Sequence, residues 1–489
     1  MLLPTPDSEV DGPSMLTDTT RLGASHMALM DLLRSASDLR EGAALTKILQ
    51  LLRDRRTMDL TDLPPADQAD LIASRTQELL PSTGHLAELL AAARTEQRRL
   101  VVKFGIDPTA ADVHVGHAVP MLIASRFQRM GHRVVFIVGD ITAKIGDPSG
   151  RTADRPPLTD DGIAANMKTY REQVTPFFDF DHADFRFNSE WLAPITLPQF
   201  IGVLEKLPVA ASLQREDFRS RLAAGSGLTM AELVYSVVMA LDSVEIAADI
   251  ELGGLDQLLN MQMCRRVMEN AGQKPEIIVA TGLIEGTDGT GAKMSKSKGN
   301  YVGLAFDPKD VFGKLMSAAD RLMPDYLRAL TELLEPEVDL LLQLMGEGRL
   351  HPMGVKTLLA SDVTSAIHGI DAAAASRAGF KAQFSQKRFS DTPDLPTVSR
   401  AEHANTSVGE LFVTVTGQVP SMNQVRRVAS GGGLRLVVEG PGGGQETVAL
   451  TAADVNGSLV ALLAAHGELT ERADHRQFLK CGRSLIEIR

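Results

Sequence analysis

An apolar run, "LVVKF" (100–104), is followed by the helix-period segment "AVPMLIASRFQRM" (118–130) and a second apolar run, "HRVVFIVGD" (132–140). Two strands joined through a helix cannot close as a tight hairpin. They lie side by side and parallel, with a right-handed crossover, and so begin an open α/β sheet. "KPEIIVATGLI" (274–284) reads as a later strand of the same sheet. Sheets of this kind bind ligands beyond the carboxyl ends of their strands, which says where to look for chemistry.

At 489 residues the chain is too long for one core. Residues 1–66 read as an N-terminal extension, partly disordered or helical. Residues 67–304 read as a Rossmann-like α/β domain, with "LIASRTQELL" (71–80) and "GHLAELLAAARTEQRR" (84–99) continuing helically into its first strand. Residues 305–395 read as a helical domain and 396–406 as a Pro/Ser/Thr-rich linker. Residues 407–489 form a small α+β domain around the glycine runs "SGGGLRL" and "GPGGGQ". Two cysteines, Cys264 and Cys481, without CxxC spacing, argue against a disulfide framework or a zinc knuckle, and no protein metal site is expected. No long apolar run or secretory pattern is present, so a cytoplasmic protein without a membrane partner is expected. The net charge of −12 means that any polyanionic partner must be met by local basic patches.

Three stretches carry chemistry. "HVGH" (114–117) falls at the first strand–helix junction, where His114 and His117 share one face of the opening helical turn. Gly116 leaves room for a flat base against the backbone, so the geometry suits ATP, with its triphosphate against the histidines. "GAKMSKSKGN" (291–300) sets Lys293 and Lys296 in a loop of small residues, able to close two ammonium groups on a pyrophosphate. "ITAKIGDPSGR" (141–151) places Asp147 at the end of the second strand, as a turn residue or as a carboxylate for a ligand ammonium.

A His-x-Gly-His that opens the sheet, paired with a later Lys-Met-Ser-Lys-Ser, resembles the signatures of class I aminoacyl-tRNA synthetases. More narrowly, "KFGIDPTAADVHVGH", "GDPSGR", "NSEWL", "LQREDF", "YSVVMALDS", "ELGGLDQLLN" and "KMSKSKGNYVGL" resemble the bacterial branch of the tyrosyl-tRNA synthetases. The tail, "VPSMNQVRRVASGGGLRL" with "QFLKCGRSLIEIR", is similar to that family's S4-type RNA-binding module. The resemblance spans roughly residues 67 to 489.

It implies ATP-dependent activation of tyrosine and transfer to tRNA, with Mg2+ accompanying ATP and a homodimeric assembly. By the same resemblance, Thr109, His114, His117, Lys293 and Lys296 act on the ATP phosphates, with Gly116, Met294 and Ser295 beside the nucleotide. Asp107, Gly253, Gly254 and Asp256 are expected around ribose and adenine. Thr142, Asp147 and Tyr235 are expected at the ammonium, Asp242 at the tyrosine hydroxyl and Gln257 near the carboxylate. Arg426, Arg427, Arg435, Lys480 and Arg483 are expected to face tRNA. The family usually shows Tyr-x-x-x-Gln-x-x-Asp, whereas here Met239 stands in the glutamine's place, Leu241 where tyrosine is frequent, and Leu255 where threonine or serine is usual. Ala143 and Lys144 also depart. Met239, Leu241 and Leu255 predict a more apolar wall around Asp242, and the alternative reading is a relative with the same ligase chemistry that activates another amino acid. Trp191 and Cys264 read as packing residues.

Overall fold

The computed structural model describes residues 20–149, 159–213, 216–225, 227–384, 389, 395–441, 445–472, 474–482 and 484–489. It divides into two compact units, Met1–Arg377 and Ala378–Arg489.

The first unit holds a six-stranded sheet: β1 (Glu78–Leu80), β2 (Val101–Ile106), β3 (Arg133–Val138), β4 (Ala183–Phe187), β5 (Ile250–Gly254) and β6 (Ile277–Thr281), in the order β1-β6-β5-β2-β3-β4. Strands β2 to β6 are mutually parallel. β1 is not part of the helix expected over 71–80. That helix ends at Ala73, and Glu78–Leu80 pair antiparallel with β6. The exposed edge of β6 supplies the hydrogen-bond partners that helical continuation would otherwise have supplied. From β2 the chain steps outward through β3 and β4, then returns to β5 on the other side of β2. The crevice at the carboxyl end of β2 is therefore the switch point of the sheet.

The N-terminal extension is helical where described, with helices Arg21–Ser35 and Ala43–Arg56; residues 1–19 lie outside the described set. Arg55 is buried and grips Glu337 with two parallel bonds, Nη1 to Oε2 at 2.7 Å and Nη2 to Oε1 at 2.6 Å. His26 Nδ1 lies 2.8 Å from the same carboxylate. Arg126 and Arg129, at the end of the helix that "HVGH" opens, converge on Glu332 at 3.2 and 3.0 Å. Extension, sheet and the helices after residue 305 are thereby joined by buried ion pairs.

The second unit has its own sheet: β7 (Thr397–Val398), β8 (Leu434–Glu439), β9 (Gln445–Ala449), β10 (Arg476–Cys481) and β11 (Ser484–Ile488), ordered β7-β11-β10-β8-β9. Helix Met422–Ser430 packs Val425 and Ala429 into the core made by Leu434, Leu436, Leu479 and Ile486. Residues 396–406, expected as a linker, instead contribute β7, which pairs in parallel with β11. Pro396 accepts a 2.8 Å bond from the Glu487 amide, so the stretch is tied into the sheet despite its linker-like composition.

Candidate active site

Every residue assigned above to nucleotide or amino acid lines one cavity of about 630 Å³ at the switch point. His114 is the N-cap of helix Val115–Arg129, and the His117 ring accepts from the His114 amide at 3.3 Å. The two imidazoles stack with centroids 3.8 Å apart. A Cβ on Gly116 would come within 2.9 Å of His114 Nδ1, so the glycine is required by the histidine ring as well as by any base above it. The motif is fastened to the chain just past the lysine loop. Val115 N donates to Val302 O at 2.9 Å, and Leu304 N donates to Val113 O at 2.8 Å.

Burial, followed by the Lys296 and Lys293 charges, pushes His114 down to about 3, and burial with the His114, Lys296 and Lys293 charges holds His117 well below its ordinary range. Both are neutral imidazoles at physiological pH. Positive charge in this part of the cavity therefore comes from the lysines. Lys293 is ion-paired with Asp256, and Ser295 N is braced by Asn300 Oδ1 at 2.9 Å. Met294 is buried and its amide donates to Ile284 O. Sequence reasoning does not single out Asn300; Asn-Tyr after the lysine loop is the available signal.

Carboxylates dominate the other part of the cavity. Asp107, expected at the ribose, is instead engaged by the side chains assigned to the ammonium: Thr142 Oγ1 donates at 2.6 Å and the Tyr235 hydroxyl at 2.8 Å. The turn after β2 aims its carboxylate at helix Met230–Ile246. Burial, then the Asp147 and Asp242 charges, raise it to about 7 against those two bonds. Gly139 also escapes sequence reasoning: a Cβ there would lie 2.1 Å from Thr142 Oγ1 and 2.2 Å from Asp107 Oδ1. Gln257, expected near the substrate carboxylate, donates to Asp147 Oδ2 at 2.7 Å, and Asn260 donates to Asp147 Oδ1 at 3.4 Å. Gly150 and Arg151 of the "GDPSGR" motif lie outside the described residues.

Asp242 is buried, but its wall is not the apolar one expected. Trp191 Nε1 donates to its Oδ1 at 2.8 Å and Asn188 Nδ2 to its Oδ2 at 3.5 Å, so Trp191 is a holder of this carboxylate as well as a packing residue. Of the three altered positions only Met239 lines the cavity; Leu241 and Leu255 pack into apolar clusters beside it. Positions 235, 239 and 242 share a helical face (i, i+4, i+7), whereas 241 is turned away from it. Burial raises Asp242 to about 6, with Lys103, Trp191 and Asn188 pulling the other way. Ala143 is buried in the short helix Thr142–Ile145, and Lys144 reaches outward to Asp160.

In the second unit, Arg426 and Arg427 are exposed on helix Met422–Ser430, and Arg435 and Lys480 are cross-strand neighbours on β8 and β10. Arg483 lies outside the described residues.

A parallel sheet whose switch point carries a histidine pair under a lysine loop is the catalytic arrangement of a class I tRNA synthetase. Residues 95–385 match the family described as tRNA synthetases class I (W and Y). The chain is 37% identical over 374 residues to a tyrosine–tRNA ligase of Thermotoga maritima, covering 76% of this chain and 90% of that one. It is 38% identical over 397 residues to one of Aquifex aeolicus, covering 81% and 96%. Among solved structures, a C-terminally truncated mitochondrial tyrosyl-tRNA synthetase of Aspergillus nidulans superposes with a TM-score of 0.54 at 19% identity, over 69% of this chain and 99% of that one, a likeness of fold. The chain belongs to the tyrosyl-tRNA synthetases.

Proposed function

We propose that this chain activates tyrosine with Mg–ATP and passes the tyrosyl group to the 3′-terminal ribose of tRNA. The observation that carries the reading is a single cavity in which neutral histidines and lysines occupy one part while Asp107, Asp147, Tyr235 and Asp242 occupy another. In the first step the amino acid's carboxylate attacks the α-phosphorus. The bond from that phosphorus to the bridging oxygen breaks, and pyrophosphate leaves with the extra charge. The attacking group is already ionised, so the protein supplies position and charge neutralisation rather than a base. His114 and His117 offer imidazole hydrogen bonds, and Lys293 and Lys296 offer full charges, with Thr109 alongside. Gly253, Gly254 and Asp256 receive adenine and ribose. A ribose hydroxyl that reaches Asp256 competes with Lys293 and releases that ammonium toward the phosphates.

The substrate ammonium lies among Asp147, Tyr235, Thr142 and Asp107. A cation beside Asp107 drives it to the carboxylate form. Asp242 accepts from the phenolic hydroxyl. In the second step a tRNA ribose hydroxyl attacks the acyl carbon and AMP departs. Retention of Asp242 in a polar socket supports tyrosine over another amino acid, and nothing favours the alternative substrate. Charging of tRNA with labelled tyrosine tests the reading directly, and a protein that transfers no tyrosine to any tRNA contradicts it.

The second unit is the tRNA-binding module, reading the backbone through Arg426, Arg427, Arg435, Lys480 and Arg483. Replacing Arg426, Arg427 and Arg435 with alanine should weaken tRNA binding and lower the salt dependence by about one for each phosphate no longer neutralised. ATP–pyrophosphate exchange should be unchanged. An unaltered salt slope for tRNA binding removes this assignment.

The assembly is a homodimer that works in the cytoplasm; among the described residues no helix is long and apolar enough to cross a membrane. Support for the dimer comes from Leu197, Val209, Leu222 and Met230, which are 70%, 58%, 53% and 73% exposed between β4 and helix Met230–Ile246. Exposed apolar side chains that join into one patch mark a surface that another chain covers, and the dimer reading takes these four as such a patch. Sedimentation of the parent should give twice the chain mass, and Met230→Asp should shift it toward monomer. A monomeric parent at micromolar concentration contradicts this.

A further inference from the structure

Beneath the amino-acid part of the cavity lies a charged cluster that the reaction described above does not use. Lys103 is the one charged residue of β2, almost wholly buried, and its side chain lines the cavity. Its Nζ lies 2.6 Å from Glu251 Oε1 on β5 and 2.7 Å from Ser243 Oγ, one residue past Asp242. The carbonyl of Met239, one turn before Asp242, accepts from the same ammonium at 3.4 Å. Glu276 and Cys264 complete the ring. Glu276 Oε1 accepts from Ser243 Oγ at 3.1 Å, and the Glu251 carboxylate lies close enough to raise Glu276 well above its ordinary range, burial being the larger cause. Glu251, Cys264 and Glu276 bring potential ligand atoms within 4.8 Å of one another, and the Lys103 ammonium is the cation placed among them.

We propose that Lys103 is a positioning and specificity-determining residue: clamped by Glu251 and Ser243, it fixes this turn of the helix and keeps Asp242 an acceptor for the substrate hydroxyl. The inference rests on the tyrosine reading above. A buried ammonium on a strand is costly unless paired, and this one is paired with Glu251 and bonded to Ser243. Its field acts on Asp242, and both residues line the same cavity. The groups that face Asp242 are Lys103 and Asp107 from β2 and the turn after it, Glu251 from β5, Tyr235 from its own helix, and Trp191 and Asn188 after β4. Of these Lys103 alone is cationic. A charged acceptor makes a hydrogen bond about twice as strong as a neutral one, and only a substrate with a donor at its far end uses it. Tyrosine gains from Lys103 and phenylalanine does not.

The sign of the pH dependence follows. Burial already raises Asp242 to about 6, and Lys103 opposes that rise. Removing the ammonium raises Asp242 further, so the acceptor becomes a neutral acid near pH 6.5 and regains its charge as pH rises.

The test compares tyrosine with phenylalanine in ATP–pyrophosphate exchange between pH 6 and 8.5, for the parent and for Lys103→Met. The double variant K103M/E251Q removes both charges of the pair and keeps the test open if the single variant does not fold. In Lys103→Met the preference for tyrosine in kcat/KM should fall about tenfold at pH 6.5 and recover by pH 8.5, and in K103M/E251Q it should fall in the same direction but less, because the lost Glu251 charge also acted on Asp242, while the parent's stays nearly level above about pH 7. Equal loss for tyrosine and phenylalanine at every pH means that Lys103 only supports the fold, and overturns the proposal. A parent-like preference throughout also overturns it. A parent that does not activate tyrosine at all overturns the tyrosine reading itself, and this inference with it.

Discussion

His117→Ala or Lys296→Ala is expected to slow adenylate formation by about 10²-fold or more while changing the KM for tyrosine little. Loss of one preorganised donor at the site of developing charge costs on that scale. Both residues line the cavity but are not among those assigned to the amino acid, Asp147, Tyr235, Thr142 and Asp242, so the amino acid is held as before. The effect of His117→Ala should not imitate deprotonation. His114 is held at about 3 and His117 well below its ordinary range, so both are already neutral across the working range. Raising the pH from 6 to 8 therefore removes no charge from this pair in the free enzyme, and the parent's kcat/KM should not fall through that interval on their account. Gly116→Ala should behave as a histidine variant, because its Cβ would displace the His114 ring. Stopped-flow measurement of adenylate formation separates these effects. Parent-like rates in both His117→Ala and Lys296→Ala would remove the site assignment.

The largest stability effect is expected at Glu332. This buried carboxylate takes Arg126 and Arg129 directly, and burial, which alone would raise it, is overcome by four guanidiniums that hold it at about 2. Glu332→Gln leaves those cations uncompensated, and breaking one partner of a buried pair costs about 3–5 kcal/mol. Because the folded carboxyl is depressed, its contribution is fully present above the unfolded value of about 4.3 and is lost as pH falls from there toward about 2. Urea unfolding at pH 7 and at pH 3.5 should show the parent losing stability on acidification, with the variant losing less. Arg126 and Arg129 lie on the helix that "HVGH" opens, so the variant should also lower the rate of activation. Equal urea midpoints for parent and variant at pH 7 would contradict this account of the network.

The parallel sheet and the two nucleotide motifs were legible because each is local: an apolar run, a helix period, a histidine spacing. β1 was not, because three residues on a sheet edge carry no period of their own and are strands only by virtue of β6. The apolar wall predicted around Asp242 failed for a similar reason. Substitutions at 241 and 255 look like pocket changes when read along the chain, but they pack beside the cavity. The helical spacing of 235, 239 and 242 held that information. Trp191 and Asn188 reach Asp242 from after β4, a contact across more than 50 positions that no local pattern announces. The partners of Asp107 were not legible because a turn residue's direction depends on what packs above it, here Tyr235 and Thr142. The lysine inside "LVVKF" is a charge in an apolar strand, a signal that the reading of the run as simply apolar passed over.

ATP–pyrophosphate exchange with each amino acid in turn tests the central claim most directly. Asp242, held by Trp191 and Asn188 at the far end of the cavity, should select a donor hydroxyl, and sites of that kind reject the analogue without it by about 10⁴-fold or more. The account predicts strong exchange with tyrosine and exchange with phenylalanine lower by at least that order. Robust exchange with an amino acid that carries no hydroxyl, and none with tyrosine, would contradict it.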